Sequence, residues 1–319
     1  MLLPTPTELL KRSKTTLQNT GHHRRLVLLH AGTVALLSLL VSALNLLLQQ
    51  GIDATGGLAG LDKRSVLSTA QTLLSFATAV LLPFWSLGYI AATTKLARQE
   101  SPRPDDLLAG LRCFFPAMRL FLLQELIFIA LGVACLNIGS LLLSLTPLGN
   151  GLYELLLPVL ESGGDPYAVD PDALMRAMLP VFIGCVAVFA VIAILVLYRL
   201  RMANYILLDN PRAGARNALR QSLKMTKGNS LALFKLDLHF WWFYVAEILV
   251  TAVAYGDVLL PLLGLEINAT AAYFGFYALS LSLQLMLYAW QKNTVFTTYA
   301  HAYLSLLSSK DNGQLTMDD

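Results

Sequence analysis

Six stretches of mainly apolar residues, each about twenty residues or longer, are spread along the whole chain. A helix of about 20 residues crosses the roughly 30 Å of hydrocarbon in a bilayer, and a backbone inside hydrocarbon must satisfy its hydrogen bonds internally. Each stretch therefore predicts one membrane-spanning helix. The predicted spans are residues 26–48, 67–93, 120–145, 178–200, 236–255 and 269–290.

The composition agrees with a membrane protein and argues against three other classes. Of the 319 residues, 56% are hydrophobic and only 13% are charged, whereas about 25% of the residues in soluble domains are charged. This balance does not fit a soluble enzyme, and it is the reverse of the polar composition that is typical of disordered chains. A formal net charge of +3 is too small for a nucleic-acid binder. The predicted fold class is all-α, a polytopic membrane protein with six transmembrane helices in a single membrane domain.

The distribution of basic residues predicts the orientation of the spans. Lysine and arginine are enriched in cytoplasmic loops, and only Lys63, Arg64 and Arg176 of the 23 basic residues fall on the other side of the predicted topology. The loops on that side carry mostly acidic residues instead. The sequence therefore predicts a plasma-membrane protein with both termini in the cytoplasm.

A capping residue followed by proline recurs three times, at Thr5-Pro6, Ser101-Pro102 and Asn210-Pro211. Proline is well accommodated at the first position of a helix after such a cap. A short amphipathic stretch follows each pair, at residues 8–17, 105–115 and 213–227, and two predicted spans come next.

This recurrence predicts three parallel hairpin repeats, each preceded by an interfacial amphipathic helix. The repeat units cover approximately residues 1–100, 101–209 and 210–307, and residues 308–319 form a predicted disordered tail. The alternative is that any chain with six spans contains three hairpins without being built from repeats.

The third amphipathic stretch carries its basic residues on one side. At 100° per residue they fall within an arc of about 120°, with small and apolar residues opposite. A basic amphipathic helix of this kind lies at a membrane surface and attracts anionic headgroups; the alternative is the general excess of basic residues in cytoplasmic loops. The candidate anionic-lipid-binding residues are Arg212, Arg216, Arg220, Lys224 and Lys227.

Three polar side chains inside the predicted spans form a candidate intramembrane polar site: Glu247, Glu125 and Gln284. Ionisable groups within membrane spans are costly and often functional. Two roles stay open for them, hydrogen bonding between helices or a path for an ion or proton.

No motif for catalysis, a cofactor or a metal occurs in the sequence. It contains no P-loop, dinucleotide fingerprint, His-Glu-x-x-His or Gly-x-Ser-x-Gly pattern. The neighbours His22 and His23 lack further ligands at metal-binding spacing, and the three scattered cysteines have no metal or redox spacing. We therefore expect a protein that is not an enzyme, with no catalytic residues, no cofactor and no metal.

The sequence resembles the bacterial membrane family that is catalogued as domain of unknown function 975 and is common in Gram-positive bacteria. The similar motifs are TELLKRSK at 7–14, YILLDNP at 205–211, ALRQS at 218–222, MTKGN at 225–229 and LFKLDLHFW at 233–241. The resemblance implies a multi-pass membrane protein without an assigned activity. A more remote likeness is to the membrane domain of some glycerophosphodiester phosphodiesterases, whose catalytic barrel has no counterpart in this chain.

The expected function is therefore non-enzymatic: a membrane protein that interacts with lipids, or with a protein partner, and organises its surroundings. The anionic headgroups of the cytoplasmic face are the expected partners, and nucleic acid is not. The alternative is a small solute or proton-coupled transporter or channel that uses Glu247 and Glu125.

Overall fold

The computed structural model describes residues 3–20, 23–54, 61–146, 171–256 and 269–315, together with residues 151, 153–155, 157 and 161. All regular structure within these ranges is helical, and no strand occurs in them. The predicted all-α fold class is thereby confirmed for the described part of the chain.

The helices are numbered in chain order. They are α1 (Pro6–Asn19), α2 (His23–Ala54), α3 (Leu61–Ala97), a 3-10 helix (Pro104–Leu108), α4 (Ala109–Arg112), α5 (Phe114–Ser144), α6 (Pro171–Leu200), α7 (Ala203–Asp209), a second 3-10 helix (Pro211–Ala213), α8 (Ala215–Met225), α9 (Ser230–His239), α10 (Trp241–Val253), α11 (Ala269–Leu287), a π-helical turn (Tyr288–Lys292) and α12 (Asn293–Leu315). Helix α12 extends into the segment that the sequence predicts to be a disordered tail.

Four of the described helical stretches are long and apolar enough to cross a membrane. They overlap the first four predicted spans, which confirms the expectation of several apolar membrane helices. The stretches are His23–Ile52, Ser65–Ala97, Phe114–Leu141 and Phe182–Asp209.

The fifth predicted span is bent rather than straight. Helices α9 and α10 meet at an angle of 60° and are apolar enough to form one broken span together. The break lies at Phe240, whose backbone N–H bonds three residues back to the carbonyl of Asp237 at 2.9 Å. The Asp237 carboxylate accepts hydrogen bonds from Tyr244, at 2.8 Å, and from Tyr299. The sixth predicted span falls on α11, which is not among the four stretches, so the number of six spans stays a prediction.

The contacts divide the chain into two units, and this division does not follow the three predicted repeats. The first unit contains residues 1–117 and 202–319, and the second contains residues 118–201. The three-fold repeat therefore stays a prediction.

In the first unit, buried side chains are concentrated at one end of the long helices. Phe84 in α3 is 1% exposed, whereas Phe76, two turns earlier, is 67% exposed. Helix α2 shows the same contrast, because Val27 is fully buried and Leu36 is 69% exposed. The packed core thus lies near the start of α2 and the end of α3, and the remaining parts of these helices present apolar side chains outward.

Helix α1 belongs to this core. As predicted, Thr5 caps the helix, with its hydroxyl accepting the backbone N–H of Glu8 at 3.4 Å and with proline at the first helical position. Its inner face packs against α12, where Ser13 donates to the carbonyl of Thr294 at 3.2 Å. Thr16 and His301 form a further hydrogen bond of 3.0 Å.

The other two predicted helix starts differ in detail. Ser101-Pro102 does not cap a helix; the 3-10 helix begins at Pro104, and the Asp106 carboxylate accepts the backbone N–H of Arg103 at 2.7 Å. The stretch predicted as one amphipathic helix at 105–115 is divided into this 3-10 helix, the short α4 and the first residues of α5.

The third predicted start is displaced by a turn. Pro211 lies in a 3-10 helix, and α8 begins after Gly214. Gly214 has a φ of +79°, a conformation that residues with a Cβ atom rarely adopt. The local backbone, rather than the Asn210 side chain, therefore sets the start of this helix.

In the second unit, helices α5 and α6 pack against each other through small residues. Gly132 and Gly139 lie two turns apart on α5. A Cβ atom at these positions would approach Phe189 and Cys185 of α6, respectively. Small residues at helix interfaces are common in membranes, because they let two backbones approach closely.

Segment 104–112 of the first unit packs directly against the backbone of α3. A Cβ atom at Gly88 would overlap the carbonyl oxygen of Leu107, and one at Gly110 would overlap the carbonyl oxygen of Phe84. Both glycines are therefore required by close approach rather than by an unusual φ angle.

We expect Gly88→Ala to destabilise the protein by about 1–3 kcal/mol, because the added methyl group must displace backbone rather than a flexible side chain. The measurement is thermal or denaturant unfolding of the purified protein in detergent micelles. The matched control is Gly32→Ala in α2, where no atom lies within 4 Å of the new Cβ; this change should leave stability unchanged or raise it by up to about 1 kcal/mol. Equal effects of the two changes would contradict the close contact.

Candidate functional site

A hydrogen-bonded chain links helix α10 to the end of α11. The hydroxyl of Tyr288 donates to the carboxylate of Glu247 at 2.6 Å, and the side-chain amide of Gln284 donates to the Tyr288 oxygen at 3.1 Å. Helices α10 and α11 are also joined by the Ser280 hydroxyl, which donates to the carbonyl of Val250 at 2.7 Å. The polar side chains of the two helices are therefore used to hold them together.

A π-helical turn over Tyr288–Lys292 connects α11 to α12. Such turns are uncommon and occur often at functional sites. The Lys292 ammonium lies 3.7 Å from the centroid of the Tyr288 ring, 5.4 Å from that of Tyr89 and 5.7 Å from that of Phe296. Aromatic ring faces attract cations, and the Glu247 carboxylate adds an electrostatic attraction.

Helix α3 approaches the same turn through Tyr89. Its hydroxyl donates to the side-chain oxygen of Asn293, whose amide group donates in turn to the backbone carbonyl of His23 at 2.8 Å. The His30 ring stacks on the Tyr89 ring with 4.4 Å between centroids. We call Tyr89, Glu247, Gln284, Tyr288, Lys292 and Asn293 together the Lys292 cluster.

The Lys292 cluster places one cation under the electrostatic attraction of one carboxylate and surrounds both with phenol and amide groups. This arrangement can hold α3, α10 and the π-helical turn in one relative position, because a buried charge is costly unless neighbouring groups compensate it. The same groups could hold a proton or accept a cation in place of the ammonium. Within the described residues, no group of three or more potential ligands is arranged to hold a metal ion.

The structure brings together two of the three polar residues that the sequence singled out. Glu247 and Gln284 meet through Tyr288. Glu125 lies on α5 in the second unit, and its side chain is exposed there.

Sequence reasoning missed Tyr288 as a partner and treated Lys292 only as a marker of topology. The spacing of four residues from Gln284 to Tyr288, and again to Lys292, could have placed all three on one side of a helix. Tyr89 and Asn293 had no such local signal, because their contact joins residues 204 positions apart.

The basic residues of α8 and its flanks form a second candidate site. We call Arg212, Arg216, Arg220, Lys224 and Lys227 the basic face. All five side chains are exposed, and in the described part of the chain none of them forms an ion pair. The opposite side of α8 is buried through Ala215, Ala218, Leu219, Ser222 and Met225.

We expect Tyr288→Phe to lower the free energy of unfolding by about 1–3 kcal/mol, because it leaves the Glu247 carboxylate without its donor. The matched control is Tyr255→Phe, since Tyr255 is 60% exposed and an exposed hydroxyl should change stability by less than about 0.5 kcal/mol. Unfolding in detergent micelles measures both. Equal stability of the two variants would show that the Tyr288–Glu247 bond contributes nothing.

Comparisons with known proteins place this sequence in one family. A family model described as "Protein of unknown function (DUF975)" matches residues 3–288. No match was found among curated proteins or among solved structures. The remote likeness to glycerophosphodiester phosphodiesterases has no support in these comparisons.

Proposed function

The chain belongs to the DUF975 family of proteins of unknown function, and we propose that it is a non-enzymatic, multi-pass protein of the bacterial plasma membrane that binds anionic lipid and organises its surroundings. The basic face of α8 is the observation that carries this proposal. Its five cations are exposed, while the other side of the helix is held in the core.

The proposed topology has six spans, arranged as three hairpins, with both termini in the cytoplasm. Four described helices and one bent pair long enough to span support it. The concentration of basic residues on one side of this topology supports the cytoplasmic location of the termini.

In this topology the basic face meets the headgroups of the inner leaflet. Each basic residue near an anionic membrane surface contributes about 1 kcal/mol of attraction. Because the five side chains make no ion pairs in the described part of the chain, their charge is free to act on lipid. The proposal therefore requires lipid binding that weakens as salt is added.

The test is a variant with Arg216, Arg220 and Lys224 changed to Gln. We expect its affinity for phosphatidylglycerol in mixed micelles to fall by about a hundredfold, because about 1 kcal/mol is lost at each of the three positions. Fluorescent lipid retained by the immobilised protein in low salt is the readout.

The matched control changes Lys11, Lys14 and Arg24 to Gln, since these residues are also exposed and the same charge is removed. Undiminished lipid binding by the α8 variant, or an equal loss in the control, would leave the basic face with a topological role only.

A second candidate function is a small solute or proton-coupled transporter or channel. The hydrogen bond between Tyr288 and Glu247 and the electrostatic attraction between Glu247 and Lys292 favour it, because ionisable groups within membrane segments often lie on ion or proton paths. The exposed Glu125 of the second unit would be the other candidate residue.

Proton flux into proteoliposomes under a pH gradient discriminates between the two functions. An organising protein should give no flux above that of empty liposomes, with or without Glu247→Gln. Flux that Glu247→Gln abolishes in a folded protein would instead establish transport through the Lys292 cluster, and loss of flux in Glu125→Gln would add Glu125 to the path.

A further inference from the structure

An ionic pocket lies in the first unit between the end of α3, segment 104–112 and the end of α7. Its volume is about 410 Å³. The charged side chains that line it are Lys95, Arg98, Asp106, Arg112 and Asp209. Neither the basic face nor the Lys292 cluster includes any of them.

Both carboxylates of this ionic pocket are held in place by neighbouring groups. The Lys95 ammonium lies 2.7 Å from the Asp106 carboxylate, and the Arg98 guanidinium lies 2.6 Å from that of Asp209. Asp209 also accepts the hydroxyl of Tyr303 at 2.7 Å. These bonds fix the two cations and leave N–H groups on each of them for another acceptor.

Arg112 is the third cation that lines the ionic pocket. Its side chain is exposed, and within the described residues it forms no ion pair or hydrogen bond. Burial raises the pKa of the Cys113 thiol, which also lines the pocket, so this group is neutral near pH 7. Three cations and two carboxylates leave the ionic pocket with one unmatched positive charge.

An apolar cavity of about 200 Å³ is also lined by a residue of α4. Its lining consists of Thr33, Val34, Leu37, Leu81, Leu82, Trp85 and Leu111. Leu111 lines the apolar cavity and the next residue, Arg112, lines the ionic pocket. The surface beside them is apolar too, because Leu108 and Phe115 are 38% and 74% exposed.

We propose that the ionic pocket and the apolar cavity together hold one phospholipid with a single net negative charge. The phosphodiester lies in the ionic pocket, where Arg112, Lys95 and Arg98 donate to its oxygens, and an acyl chain enters the apolar cavity. The assignment rests on the membrane location in the proposed function, but not on lipid binding by the basic face.

Two features favour a phospholipid over a soluble phosphate. The unmatched charge equals that of one phosphodiester, and consecutive residues, Leu111 and Arg112, line the apolar cavity and the ionic pocket. Arginine also suits phosphate, because its planar group donates two parallel hydrogen bonds. A soluble phosphate would occupy only the ionic pocket and would gain nothing from the apolar cavity.

The first test is mass spectrometry of the phospholipids that stay with the purified protein in mild detergent. We expect the wild-type chain to retain phosphatidylglycerol in preference to phosphatidylcholine, at close to one molecule per chain. Arg112→Gln should lose most of it. Arg103→Gln is the matched control, because Arg103 is also an exposed arginine but does not line the ionic pocket, and it should retain the lipid.

The second test reports on the acyl chain. The chain has four tryptophans, so W241F, W242F and W290F together leave only Trp85, which lines the apolar cavity. Phosphatidylglycerol with brominated chains should quench Trp85 fluorescence more than brominated phosphatidylcholine at the same mole fraction. Arg112→Gln should remove the difference, and Arg103→Gln should preserve it. If the variant without the other tryptophans does not fold, the retained-lipid measurement decides alone.

Two results would overturn the assignment. One is equal retention of phosphatidylglycerol by Arg112→Gln and Arg103→Gln. The other is displacement of the lipid by soluble glycerophosphoglycerol as readily as by phosphatidylglycerol, since the site would then recognise only the phosphodiester.

The α8 triple variant separates this inference from the proposed function. If this variant retains the single lipid but loses the low-salt lipid binding, the result supports both this inference and the proposed function. Loss of the single lipid in that variant would place the lipid on the basic face and overturn the assignment to the two cavities.

Discussion

The backbone contact between α3 and segment 104–112 is the interaction on which the ionic pocket and the Lys292 cluster depend. Gly88 and Gly110 allow the two backbones to touch, because neither residue carries a Cβ atom. The contact sets Lys95 of α3 beside Asp106 and so forms one wall of the ionic pocket. Tyr89, the neighbour of Gly88, contacts Lys292 and Asn293. One close approach of two backbones thus connects the ionic pocket to the Lys292 cluster.

The uneven packing of the first unit has a simple physical cause. Lipid tails are as apolar as leucine, so a helix in a bilayer gains little by burying its apolar side chains against other helices. The outward apolar side chains of α2 and α3, such as Leu36 and Phe76, are therefore compatible with a stable protein. Specific tertiary contacts are concentrated at the other end of these helices, where polar groups pair with one another.

The charges of the first unit divide into paired and unpaired sets. Lys95, Arg98 and Lys292 each have an acidic residue as a neighbour. A paired charge in a packed region holds helices in one arrangement, because separating the pair would leave a charge uncompensated. Arg112 and the basic face form no ion pair among the described residues. In the proposed topology these cations face anionic headgroups, which would supply the missing charge.

The sequence by itself determined the fold class, the family and the basic side of α8, because apolar length and helical periodicity are local properties that need no knowledge of distant contacts. It also selected Glu247 and Gln284 as polar groups in an apolar setting. Only the tertiary structure decided their partner Tyr288, the bend at Phe240 and the division into two units. The ionic pocket also became visible only in the tertiary structure, because its Arg98–Asp209 ion pair joins residues 111 positions apart. Such pairs depend on which helices come together, and that choice is made by the close packing of backbones and side chains, which no local pattern of residues specifies.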